Sequence, residues 1–248
     1  MARLCNRGVL INALDPDFPD EPTYTLGEDL GGYETIFVDG TDDTKVLKYF
    51  MAYTDRCKNE ANILKKLSDS GFTPRYYGTY SCGDKNKPAY VVMDKIEGSD
   101  LLKTMEEFIT QEKRTNPSVK KPEMVIHFIS QYMDEIYDLY NRLLDLGVIQ
   151  TDLYLQNIML SPSGKLYFID FEFATDVGET VPLEYRVTKE QLMQNLIDRK
   201  EINKLNTYLT RVDASGKKLK KKTRKHPRRK NRKTRRTRRT RRTRRRLH

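Results

Sequence analysis

The stretch Gln150-Thr-Asp-Leu-Tyr-Leu-Gln-Asn157, followed by Tyr167-Phe-Ile-Asp-Phe-Glu172, decides how this sequence folds. Asp152 and Asn157 stand five residues apart, and Asp170 follows thirteen residues after Asn157. Upstream, Val125, Phe128, Ile129, Tyr132, Ile136, Tyr140, Leu143 and Leu144 recur at three- and four-residue steps. That spacing predicts one long amphipathic helix, opened by Pro122 and closed at Gly147. Downstream, Asn157–Leu160 and Lys165–Phe171 flank the turn Ser161–Gly164 and read as a strand hairpin. Asp152 and Asn157 therefore lie on a loop after a helix, and Asp170 ends a strand. Alone, such a pair does no more than cap turns. The helix before it and the hairpin after it favour a functional loop.

N-terminal to this region, short alternating runs sit between turn residues. Tyr24–Leu30, Tyr33–Val38 and Lys45–Phe50 predict a three-strand meander. A helix is predicted over Asp55–Leu67, with Ile63, Leu64 and Leu67 facing inward and Gly71 just beyond its end. Two more strands follow, Tyr76–Cys82 and Ala89–Ile96. Five strands with a helix after the third make a small α+β lobe. After Gly98 the pattern turns helical, with a first helix over Leu101–Thr110 and a polar loop, Glu112–Lys121. Thr188 and Gln191, at capping-box spacing, open a final helix reaching about Leu209. The expected division is an irregular arm over 1–22, a strand-rich lobe over 23–97, a helical lobe over 98–213 and a tail over 214–248.

Residues 24 to about 175 resemble the protein-kinase-like superfamily. The Gln150–Asn157 stretch resembles its catalytic loop H-R-D-x-x-x-x-N, and Asp170-Phe-Glu172 resembles D-F-G. Val46-Leu-Lys48 resembles V-A-I-K, and Val91–Gly98 resembles the hinge between lobes. Leu26-Gly-Glu-Asp-Leu-Gly-Gly32 stands in the place of G-x-G-x-x-G, with Asp29 where the middle glycine belongs. The resemblance implies a two-lobed α+β fold, with a five-stranded N-lobe and a reduced helical C-lobe. It implies an enzyme that uses ATP and Mg2+ to transfer the γ-phosphate to a hydroxyl. Asp152 would be the catalytic base, with Asn157 and Asp170 as magnesium ligands. Lys48 would hold the α- and β-phosphates, aimed by Glu60, with Asp55 the second choice for that partner. Gly27 and Gly32 would let backbone approach the phosphates. Met93 would border the adenine pocket, and backbone over Asp94–Ile96 would bind the base. Taken singly, Lys48 reads as a solvated strand lysine and Glu60 as a solvated helix face. Their order along the chain reverses that preference.

The sequence departs from the family at several points. Gln150 and Thr151 replace the His and Arg of H-R-D, so regulation through a phosphorylated loop is not expected. Tyr154 replaces the lysine of Ser/Thr kinases, Glu172 replaces the glycine of D-F-G, and no A-P-E follows. The usual platform for peptide substrates is largely missing, and the lobe is closer in size to the compact atypical kinases, such as the Rio or KEOPS-associated types, than to a full eukaryotic one. Three readings stay open: a Ser/Thr-type protein kinase, a small-molecule kinase, and a nucleotide-binding pseudokinase. The acceptor, protein or small molecule, is not legible.

Charge is segregated along the chain. Residues 217–248 hold 21 Lys or Arg and no Asp or Glu, leaving 25 basic against 35 acidic residues in 1–216. The repeat Thr234-Arg-Arg-Thr-Arg-Arg-Thr-Arg-Arg-Thr-Arg-Arg cannot bury a core, and disorder is expected there. Such a tail suits salt-sensitive binding to nucleic acid, nuclear targeting, or no specific partner. Its composition suggests a large DNA virus. Cys5, Cys57 and Cys82 show no C-x-x-C spacing, which argues against disulfides and zinc and for a reducing, intracellular compartment, cytoplasmic or nuclear. No run of about 18 apolar residues exists, so no membrane partner is expected.

Overall fold

A computed structural model of the chain describes residues 9–10, 12–14, 24–30, 36–81 and 88–198. Strands lead and helices follow. The first half holds β1 (Val9–Leu10), β2 (Asn12–Ala13), β3 (Tyr24–Asp29), β4 (Ile36–Asp39), β5 (Lys45–Phe50), α1 (Asp55–Leu67), β6 (Tyr76–Ser81) and β7 (Ala89–Asp94). They form one antiparallel sheet in the order β1-β3-β4-β5-β7-β6-β2. The five strands expected from the sequence are its centre. The arm read as irregular instead supplies a two-residue strand at each edge. Strands that short carry no alternation, so no sequence pattern announces them.

The pleat of β5 assigns its side chains to two faces. Leu47 packs with Phe37, Tyr80, Tyr90 and Val92 on one face. Val46 and Phe50 join the main core with α1 on the other, and Lys48 lies between them in the alternation. Helix α1 turns Cys57, Glu60, Ala61, Leu64 and Leu67 inward, at three- and four-residue steps. Thr54 caps it, accepting from the Cys57 N–H at 3.4 Å. Burial, reinforced by Glu60 and Glu172, pushes the Cys57 thiol up to about 12, so it stays protonated and unreactive.

The second half holds β8 (Ser99–Asp100), α2 (Leu101–Thr115), α3 (Lys121–Asp145), β9 (Val148–Ile149), β10 (Ile158–Leu160), β11 (Leu166–Phe168), β12 (Thr175–Asp176) and α4 (Lys189–Asp198). Helix α2 runs five residues past its predicted end at Thr110. Glu112, half-buried, and Lys113 and Arg114, exposed, are good helix formers. Pro117 then bars helical geometry at Asn116. In α4, Thr188 N–H donates to Gln191 Oε1 at 3.1 Å and Gln191 N–H to Thr188 Oγ1 at 3.3 Å, a reciprocal cap. The predicted continuation to Leu209, the tail, Cys5, Cys82, Gly31, Gly32 and Tyr33–Thr35 lie outside the described residues. Among the described residues, no helix is long and apolar enough to cross a membrane.

Two small sheets fix the loop regions. Strand β10 pairs with β11 and β8, and β9 pairs with β12. Gly98 makes the first of these possible. It sits at φ +127°, and a Cβ there would lie 2.0 Å from the Leu160 oxygen. The Gln150–Asn157 loop is thus held at both ends, and Asp170 falls in the crossing between β11 and β12.

Candidate active site

Lys48 is 2% exposed, a burial that a lysine tolerates only with compensating charge. Its Nζ lies 2.9 Å from Asp170 Oδ1, 3.3 Å from Glu60 Oε2 and 3.4 Å from Glu172 Oε1. Two segments distant in sequence supply these carboxylates, α1 and the crossing between β11 and β12. Glu60 comes from the inward face of α1, one turn past Cys57. Asp55, the alternative partner, is exposed at the start of that helix. The short Lys48–Glu60 interval is accommodated because α1 begins five residues after β5 ends.

Asp170 has a φ of 59°, the left-handed region that non-glycine residues rarely adopt. Gln150 holds it there, donating from Nε2 to the Asp170 oxygen at 2.7 Å and to the Ile169 oxygen at 3.4 Å. Thr151 Oγ1 donates to the Phe173 oxygen at 2.6 Å. Phe171 is fully buried in the main core, anchoring the turn from within. The residues that replace His and Arg therefore bind the same segment that carries Asp170.

Asn157 Nδ2 donates to the Asp152 oxygen at 2.7 Å, and its backbone oxygen accepts from Ile169 N–H at 3.0 Å. Committing Nδ2 leaves the Asn157 Oδ1 as the acceptor its amide can offer a ligand. Asp152 is half-buried. Burial raises its carboxyl above the usual range, with Asp170 and Glu172 adding repulsion. Hard carboxylate and amide oxygens at Asp170 and Asn157 are a donor set that fits Mg2+.

The other described candidates lie on β3, on β7 and in the segment just after β7. Met93 lies in β7 opposite Val46, on the Lys48 side of the sheet, and is buried. Asp94 N–H donates to the Arg75 oxygen at 3.0 Å, and the Asp94 carboxylate accepts from Tyr77 OH at 2.8 Å. Lys95 N–H is taken by the Thr44 oxygen at 2.8 Å, and Ile96 is half-buried beyond it. Gly27 is exposed on β3. Its missing side chain is explained by packing, since a Cβ would lie 2.8 Å from the Val38 oxygen. Glu172, which stands in place of the D-F-G glycine, reaches Lys48 and lies 3.8 Å from Arg56. No pattern in a single sequence signals that reach.

No family model matches the chain. Among curated proteins, the serine/threonine-protein kinase PKH3 of Eremothecium gossypii is 26% identical over 123 residues. The match covers 50% of this chain and 15% of that protein, so the chain spans a small part of its relative's length. It is a partial likeness to a kinase, joined here to a mixed α+β fold. A viral origin finds no support in it.

Proposed function

We propose that this chain is an ATP- and Mg2+-dependent phosphotransferase of the Ser/Thr protein-kinase type, built as two lobes over 23–97 and 98–213. One observation carries the reading: a buried ammonium, Lys48, held between carboxylates of Glu60 and Asp170 that come from distant elements. Lys48 would bind the α- and β-phosphates, held in place by Glu60. Asp170 and Asn157 would hold magnesium, which supplies charge neutralisation on the phosphates. Asp152 would accept the proton of the attacking hydroxyl. The acceptor oxygen bonds to the γ-phosphorus as the bond to the β–γ bridging oxygen breaks, releasing ADP. Met93 and the backbone around Asp94–Ile96 would border the base.

The test incubates the full chain with γ-labelled ATP, with magnesium or with EDTA. Ser/Thr peptides and small alcohols serve as acceptors. Magnesium-dependent label on an acceptor or on the chain supports the reading, and absence of nucleotide binding ends it. Binding without transfer selects the pseudokinase alternative. That alternative is favoured by one observation, Glu172 competing with the phosphates for Lys48.

Proton acceptance requires ionised Asp152. Because burial and its acidic neighbours raise that carboxyl, transfer is expected to fail on acidification at a higher pH than an ordinary carboxylate would impose. A pH profile of kcat/KM checks this, and an acid limb in the ordinary carboxylate range contradicts it.

The basic tail is a separate proposal, a sequence-independent clamp for nucleic acid. Binding of a duplex oligonucleotide is expected to fall steeply with salt and to vanish when the chain stops at Ala214. Retained binding in the shortened chain would remove the tail from that role.

A further inference from the structure

We propose that Asn59 is a positioning residue that holds the metal-binding Asp170 in register by plugging the turn that follows it. The proposal rests on the phosphotransferase reading for its functional part. Asn59 lies on α1 beside Glu60, and its Nδ2 approaches three backbone oxygens: Phe171 at 3.1 Å, Glu172 at 3.1 Å and Ala174 at 2.8 Å. Ala174 N–H closes the same turn onto the Phe171 oxygen at 3.1 Å. The chain therefore curls around one amide nitrogen. Two N–H groups serve three acceptors, so at least one bond is shared. Three converging oxygens also fix which end of the Asn59 amide faces the turn.

The place of this plug matters more than its bond count. Asp170 sits immediately before the turn, in a backbone conformation that needs outside support. Gln150 and Thr151 hold the segment from the catalytic-loop side. Asn59 holds it from the helix side, one residue from the carboxylate that pairs with Lys48. Arg56, one turn earlier on α1, adds an ion pair to Glu172 and lies 4.7 Å from the centre of the Phe173 ring. Helix α1 thus aims Lys48 through Glu60 and anchors the Asp170 segment through Asn59. A shift of this helix would displace both phosphate-site groups together.

The test compares Asn59→Ala and the amide-retaining Asn59→Gln with the unaltered full chain. Hydrogen exchange at the Ala174 amide is expected to accelerate about tenfold in Asn59→Ala, with β5 and β7 unchanged. Binding of a fluorescent ATP analogue without metal should be unchanged. The Mg2+ concentration needed for half-maximal transfer should rise on the order of tenfold, because Asp170 is misplaced rather than removed. Asn59→Gln should fall between the two, and it serves alone if Asn59→Ala does not fold. Unchanged exchange at Ala174 overturns the anchor, whether or not the protein transfers phosphate. Faster exchange with an unchanged Mg2+ requirement overturns the positioning role. If the unaltered chain shows no Mg2+-dependent nucleotide binding, the phosphotransferase reading fails and the positioning role falls with it. The exchange result then still decides the anchor.

Discussion

Asp170→Ala is expected to lower phosphoryl transfer on the order of 10²–10³-fold while leaving the protein folded. The estimate follows from what one fixed electrostatic group contributes at a transition state. The carboxylate is 21% exposed, so its removal opens no sealed cavity. Lys48 keeps Glu60 and Glu172 within 3.4 Å, so its charge remains compensated. The effect should therefore fall on kcat and on the Mg2+ requirement rather than on melting temperature. Label transfer and a thermal melt on the same preparation check both halves. Full transfer by the variant would remove Asp170 from the chemistry. A collapsed melt would mean that its role is structural.

Lys48→Met is expected to behave in the opposite way. It removes the cation shared by three carboxylates, of which Glu60 is 1% and Glu172 10% exposed. Breaking a buried pair costs about 3–5 kcal/mol, chiefly because the partner charge stays buried. In a domain of this size that lowers Tm by roughly 10 °C. Loss of transfer in this variant would thus mix chemistry with unfolding, and transfer must be measured well below the new Tm. Adding Glu172→Gln to Lys48→Met removes one of the stranded negative charges and should restore part of the stability. A Lys48→Met protein that melts like the original would contradict the burial argument.

These two residues also mark what the sequence could and could not disclose. Lys48 was legible only from its order along the chain, a strand lysine followed by a helix with an apolar face and then by the loop and hairpin. Glu60 shares that helix with Ile63, Leu64 and Leu67, so its inward face follows from helical spacing. The loop Gln150–Asn157 was legible because a long periodic helix precedes it and a hairpin follows. Gly27 was read as a glycine that lets backbone approach phosphate, and close strand approach adds a second reason for glycine there, invisible in the sequence. Asn59 and Glu172 stayed hidden, since a polar residue on a helix or in a turn ordinarily faces solvent. Their partners are main-chain oxygens and a distant lysine, contacts that exist only after folding. The paired two-residue strands β8, β9 and β12 are set by tertiary contact, and two residues carry no period.

At Gln150 the side chain that grips the Asp170 segment is an amide and not an imidazole. A carboxamide neither gains nor loses a proton in the range where an imidazole titrates. The link from Gln150 to the Asp170 main chain therefore keeps its strength when the surrounding medium acidifies. Acid would therefore act on this site through its carboxylates and not through that link.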